Sequence, residues 1–329
     1  MAWIGKTSGG GTPEPRRSWS VLVAVVLANS WLAAGCGSRP TQPPEDTHAP
    51  PANGPEWVTE AVTAVNVEQI RFYSRAANAE VSAHIYLPDA YKAEPSRGFP
   101  VLYWLHGGGV STAQGIPFLA QFFHDGMTRG FMEPTIVVFP NGLPLGMWVD
   151  SKDGRQPVET VLMTELIPLV DRQFRALGAQ RRVVEGFSMG GYGAARLGFK
   201  YPDQFSGISL LGAGPLQLDF LAEGPRTSLA ARQSVFQRVY GGCMEYFQAQ
   251  SPWRLAEGLA TNEPPGPGLP VRIAIGTVDE MIDINRRFHD HLTALGIPHT
   301  YIELAGVDHS PVRTLQALGE ALWAFYNEP

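Results

Sequence analysis

Three side chains in a fixed order along the chain could carry nucleophilic attack on a carbonyl: Ser188, then Asp279, then His309. The run from Arg182 to Ala195 reads as a β-strand that turns through Gly186-Phe187-Ser188-Met189-Gly190 into a helix. Such a turn holds the serine at a strained backbone angle and leaves no room for side chains two residues to either side, so positions 186 and 190 call for glycine. Val183 and Val184 favour the strand. Ala194, Ala195, Leu197 and Gly198 let the helix lie close on a sheet, and Tyr201-Pro202 ends it. The pentapeptide alone is a weak signal, since a glycine-rich turn between two core elements has the same spelling; the strand before it and the helix after it give it weight.

A serine nucleophile needs a base, a carboxylate to orient the base, and donors for the developing oxyanion. Arg272-Ile273-Ala274-Ile275 runs into Gly276-Thr277-Val278-Asp279, placing an aspartate just past a strand end, and Asp279 is the expected acid. Asp283 competes, but it falls where the next helix should have begun. Of eight histidines, His309 alone lies near the C-terminus after a strand and a glycine turn, Thr300 to Gly306, and is the expected base. His289, His291 and His299 read as solvent-facing residues on or after a polar helix. Asp308 reads as a loop-capping carboxylate, because adjacent side chains diverge too far to hold an imidazole in line. Upstream, Leu102-Tyr103-Trp104-Leu105 ends in His106-Gly107-Gly108-Gly109, where backbone can approach a reacting carbonyl. The expected donors are the N–H groups of Met189 and Gly108, with Gly109 the alternative. His106 reads as structural.

These residues need a scaffold. Val65 to Phe72 and Glu80 to Leu87 read as an antiparallel opening pair. Short apolar runs then alternate with helical stretches: Val101 to Leu105, Thr135 to Phe139, Arg182 to Glu185, Gly207 to Leu211 and Val271 to Ile275, with 158–174 as one helix. Strands buried on both faces read as continuous apolar runs, so the pattern predicts an α/β fold with a mostly parallel sheet and helices on both faces. Residues 215–270 interrupt the alternation. They contain a helical stretch, Ser228 to Tyr240, and a proline- and glycine-dense loop, and are expected to lie over the carboxyl ends of the strands.

The chain has 329 residues, with 25 Lys and Arg against 31 Asp and Glu, for a formal net charge of −6. Without Lys6, Arg16, Arg17 and Glu14 of the N-terminal segment the balance moves to −8. No basic run is present, so nucleic acid is not an expected partner. Residues 1–36 read as an address: Arg16-Arg17, an apolar stretch from Val21, then Ala33-Ala34-Gly35-Cys36. This is similar to a lipoprotein signal in which Cys36 is lipidated, so a lipid anchor is the expected membrane contact. Ordinary cleavage near Ala34 is the alternative, and the apolar run is short of the ~20 residues of a spanning helix. With Cys36 carrying lipid, Cys243 stands alone and reads as a buried small hydrophobe. Residues 37–56, rich in proline and polar residues, read as a tether, and 57–329 as the folded domain. No metal-ligand spacing occurs, and no cofactor is expected.

Several stretches carry a resemblance to the esterase D family, which includes feruloyl esterases, S-formylglutathione hydrolases, enterochelin esterases and antigen 85-type mycolyltransferases. They are Tyr86-Leu87-Pro88, Pro100 to Gly109, Pro140-Asn141-Gly142, Glu165 to Asp171, Gly186 to Gly191, Ser251-Pro252, Gly276 to Asp279 and the segment around His309. The resemblance implies an α/β-hydrolase fold, a Ser188–His309–Asp279 triad without a cofactor, and a small-molecule or carbohydrate-linked ester as substrate. It matches Trp148 to a position near the substrate groove, where a buried structural tryptophan is the other reading. Family members often carry tryptophan soon after the histidine; here Ser310-Pro311-Val312-Arg313 follows. The function this implies is an exported serine ester hydrolase. Acyl transfer to a hydroxyl other than water, and a non-catalytic binding protein on the same scaffold, are the rivals.

Overall fold

The computed structural model describes residues 56–109, 112–222 and 226–327; the signal reading, lipidation at Cys36 and nearly all of the tether lie outside them. Eight strands form one sheet in the order β1-β2-β4-β3-β5-β6-β7-β8. β1 (Val67–Ser74), β2 (Ala79–Tyr86) and β4 (Ile136–Pro140) pair antiparallel, while β3 (Val101–Leu105), β5 (Arg182–Phe187), β6 (Gly207–Leu211), β7 (Val271–Gly276) and β8 (Thr300–Leu304) run parallel with β4. This is the mixed α/β sheet that the apolar runs predict. Because β3 hands on to β4 on one side and β5 to β6 on the other, the crevice between the ends of β3 and β5 is a topological switch point.

Every residue of β3 through β7 is buried, and the pleat sorts them between two cores with a period of two. Val101, Tyr103 and Leu105 join the layer built with helices Met189–Lys200, Leu229–Tyr240 and Ile282–Ala294. Leu102 and Trp104 join the layer built with Ile116–Thr128, Pro311–Leu318 and Glu320–Asn327.

Three local features depart from the sequence expectation. The stretch 158–174 is helical, but 161–166 is a π turn in which the N–H of Ile167 bonds Leu162 O. Pro168 has no N–H to offer the preceding turn, which widens to accommodate it. The 215–270 segment holds two further helices, Met244–Gln250 and Pro252–Leu259, separated by Ser251, whose hydroxyl caps the second by accepting from Trp253 N at 3.2 Å. Cys243 is buried as expected, but it is disulfide-bonded rather than alone.

Buried charges lock the strands that matter most. On β5, fully buried Glu185 accepts from Arg272 of β7 at 2.5 Å and from Tyr326 at 2.6 Å. Arg272 also donates to Ser209 Oγ of β6 at 3.1 Å and to Ala321 O at 3.0 Å, with its guanidinium 4.2 Å from the Phe325 ring centre. The strand that delivers Ser188 is thereby tied to the strand that leads to Asp279.

Candidate active site

Ser188 sits between β5 and its helix with φ 58° and ψ −119°, a backbone region costly for a residue with a Cβ. The glycines around it are obligatory in the sense the spacing predicts. A Cβ on Gly186 would lie 2.3 Å from Gly190 C, and one on Gly190 would lie 1.9 Å from Leu105 O. The turn is therefore pressed against the end of β3, and the histidine–glycine run of that strand comes alongside the serine.

Asp279 and His309 meet across two loops. His309 Nδ1 lies 2.8 and 3.0 Å from the two carboxylate oxygens of Asp279, both side chains being almost fully buried. Met281 N–H donates to Asp279 Oδ1 at 2.8 Å. The loops are zipped together by Thr277 N to Leu304 O (2.9 Å), Val278 N to Val307 O (3.2 Å) and Gly306 N to Thr277 Oγ1 (2.9 Å). Asp283 lies on the helix Ile282–Ala294 with its side chain 76 % exposed, facing Arg286, away from the imidazole that Asp279 holds. Asp308 is exposed and pairs with Arg313 at 3.0 Å.

Two cavities meet at the serine. The first, about 440 Å³, is lined by Trp104, Phe118, Phe139, Phe187, Ser188 and His309 together with Pro311 and Val312, the residues that follow the histidine. The second, about 360 Å³, is lined by Met147, Ser188, Met189, Phe220, Val235 and Met281 among others. Gly108, Ser188 and Arg226 line both. Arg226 reaches across to Glu280, next to Asp279, at 2.8 Å. The second cavity draws Phe220, Thr227 and Val235 from the 215–270 segment, which thus walls one side of the site.

The two expected oxyanion donors lie together. A Cβ on Gly108 would stand 3.6 Å from Met189 Cβ, and one on Gly107 3.5 Å from Ser188 Cβ. The alternative, Gly109, is committed elsewhere: its N–H bonds Pro144 O at 2.7 Å. His106 is tied at both ring nitrogens. Its Nε2 accepts the Gly142 N–H at 3.1 Å, which leaves the proton on Nδ1 for Gly107 O at 2.8 Å. Burial drives its pKa down to about 4 against the smaller upward pull of the Gly107 bond, so the ring is neutral.

Trp148 departs from the groove reading. It is wholly buried and lines neither cavity. Its ring lies so close to Gly142 and Gly193 that a Cβ on either would come within 2.5–2.6 Å of it. Its indole N–H bonds His106 O at 3.2 Å, and its own carbonyl accepts from buried Arg196 at 2.9 Å. Burial raises the pKa of Glu159, but Arg196 and Lys200 outweigh it and keep the carboxylate ionised as Arg196's partner. The histidines read as solvent-facing are half-buried: His289 lies 2.7 Å from His299 and stacks on Tyr301, while His291 stacks on Trp253 at 3.9 Å.

Comparison with known proteins agrees with this architecture. Residues 74–300 match the family described as "Putative esterase". Esterase Rv1288 of Mycobacterium tuberculosis is 35 % identical over 155 residues, 46 % of this chain and 33 % of that protein. An endo-1,4-beta-xylanase/feruloyl esterase of Xylanibacter ruminicola is 32 % identical over 158 residues, 45 % of this chain and 22 % of that one. The matched stretches thus span a third or less of these relatives. A solved ferulic acid esterase superposes with a TM-score of 0.65 at 20 % identity, covering 80 % of this chain and 98 % of that one; at that identity the likeness shows the fold. With the family match covering most of the chain and the fold in agreement, the protein belongs to this esterase family and has the α/β-hydrolase fold.

Proposed function

We propose that the protein is an exported serine carboxylic-ester hydrolase working through an acyl-enzyme. The observation that carries the reading is the buried Asp279–His309 pair, at 2.8 Å, opening on a cavity that Ser188 also lines. In this reading His309 takes the Ser188 proton as Oγ attacks the ester carbonyl. Asp279 holds the Nδ1–H tautomer and stabilises the imidazolium, and the N–H groups of Gly108 and Met189 receive the oxyanion. His309 then protonates the departing alkoxide and afterwards activates water to release the acid.

The same roles assign the two cavities. The leaving oxygen must come within reach of His309, which lines the first cavity and not the second. The alcohol part therefore occupies the aromatic first cavity, and the acyl part the methionine-rich second one. Feruloyl or acetyl esters of carbohydrates suit this reading, given the feruloyl esterase among the relatives. The N-terminal signal pattern supports export.

Hydrolysis of p-nitrophenyl acetate and butyrate by the full chain, beside Ser188→Ala, tests the reading. Turnover abolished by the substitution is the expected result. Turnover that survives it would remove Ser188 as nucleophile, and no turnover by the folded parent would point to a transferase or a binding protein.

A further inference from the structure

A peptide group is rigid and planar, with its C=O and N–H pointing in opposite directions. Whatever grips the carbonyl of residue 107 therefore also sets the direction of the N–H of residue 108. The imidazole of His106 does this, donating from Nδ1 to Gly107 O at 2.8 Å. Gly107 and Gly108 have no side chains to set that rotation themselves, and glycine backbone has the widest choice of angles. The ring is fixed in turn: Gly142 N–H donates to Nε2 at 3.1 Å, and the Trp148 ring lies against it at 4.9 Å between centroids. The preceding plane is gripped as well, since the Trp148 indole N–H holds His106 O at 3.2 Å. Behind Trp148 stands Arg196, donating to Trp148 O at 2.9 Å from a fully buried position beside Glu159.

We infer that His106 is a positioning residue of the reaction: with Trp148 it fixes the Gly107–Gly108 peptide plane so that the Gly108 N–H is held ready for the oxyanion. The inference rests on Gly108 being an oxyanion donor, as proposed above. A donor oriented before the reaction needs no reorganisation as charge develops. Left to two consecutive glycines, that orientation would have to be found in each turnover. The neutral state of His106 belongs to the same device, because a proton on Nε2 would expel the Gly142 N–H and loosen the ring.

Two substitutions separate positioning from mere filling of space. His106→Asn keeps an N–H donor near the place of Nδ1, within reach of Gly107 O. His106→Gln puts its amide near the place of Nε2, towards Gly142 N–H, and loses the Nδ1 donor. With p-nitrophenyl acetate, His106→Gln is expected to lose about 10²–10³-fold in kcat, the scale of one oxyanion donor, with KM within about twofold. His106→Asn should recover to within about tenfold of the parent. A trifluoromethyl ketone, which places an oxyanion in the same hole, should bind His106→Gln more weakly by the factor lost in kcat/KM. Trp148→Phe, which removes the bond to His106 O, should show the same parallel loss in kcat and ketone affinity at about tenfold, and it decides the matter if His106→Gln does not fold. Equal losses in the Asn and Gln variants, or a fall in kcat that ketone affinity does not follow, would overturn the inference. Ser188→Ala tells the two failures apart. Turnover that survives it removes the hydrolase reading, whereas turnover that it abolishes and His106→Gln leaves intact removes only the positioning one.

Discussion

Replacing Arg272 by methionine should destabilise the fold far more than a surface charge change would, and the structure sets the scale. Glu185 and Arg272 are both essentially without solvent access and lie 2.5 Å apart. Removing the guanidinium leaves a carboxylate on the central strand whose remaining partner is the Tyr326 hydroxyl at 2.6 Å. Breaking a buried pair from one side costs about 3–5 kcal/mol, because the surviving charge keeps its desolvation penalty without its partner. Arg272 also satisfies Ser209 Oγ and Ala321 O, which places this case toward the upper end. At about 2–4 °C per kcal/mol for a domain of this size, the melting temperature should fall on the order of 10 °C. Urea denaturation of the parent, Arg272→Met, Glu185→Gln and the double variant would measure it. The double variant should be clearly more stable than the sum of the single losses implies, by at least about 2 kcal/mol, since it removes both charges. A loss below about 1 kcal/mol for Arg272→Met, or strict additivity, would refute the argument that the pair is held by mutual need.

Other outcomes follow from the site. Asp279→Asn should cut kcat for p-nitrophenyl butyrate by about 10⁴-fold through loss of the imidazole's correct tautomer, while Asp283→Asn, altering an exposed carboxylate that faces Arg286, should leave it within about twofold. Because His106 is held neutral with a pKa of about 4, below the ~6.5 of an unfolded histidine, the unfolded chain binds the extra proton first. The stability this neutrality represents is whole above pH ~6.5 and is lost as pH falls toward 4, by about 3 kcal/mol. Buried His84, whose pKa burial also lowers against the raising effect of Glu60 O, adds in the same direction. Urea midpoints between pH 7 and pH 4 should show this slope, and His106→Asn should flatten it. Gly193→Ala, which sets a methyl 2.5 Å from the Trp148 ring, should cost about 1–3 kcal/mol by overpacking and lower the melting temperature accordingly; an unchanged melting curve would show that the ring can move aside.

Legibility in the sequence followed from where each constraint acts. β3 and β6 span the residues their apolar runs mark, because a strand buried on both faces has no polar alternation to blur its ends. The elbow was legible because its spelling is local: Gly186 is demanded by Gly190 four residues on, and although Gly190 is demanded by Leu105 O of β3, both fall within one pentapeptide between a strand and a helix; the acid just past β7 is likewise marked by its place after a strand. Trp148 was not, because what buries it lies at Gly142 on one side and Gly193 on the other, and a family position near a groove says nothing of which way a ring turns. The half-buried histidines escaped for a similar reason: on a polar helix they look solvated until Trp253 and Tyr301 arrive from other elements. The π turn at 161–166 was implicit in Pro168 but not in any hydrophobic period.

The two cavities that share Ser188 are walled by different lengths of chain. The first takes Phe118 and Leu119 from the helix after β3 and Pro311 and Val312 from the helix after the histidine. The second takes Phe220, Thr227 and Val235 from the segment inserted after β6. Among the described residues, Gly108, Ser188 and Arg226 belong to both. With the proposed assignment of alcohol to one and acyl group to the other, taste for each half of the ester is heritable separately. Lengthening or exchanging the inserted segment while keeping Arg226, its one residue in the first cavity's lining, can retune the acid half and leave the alcohol half as it was, so a descendant of this chain need not relearn both at once.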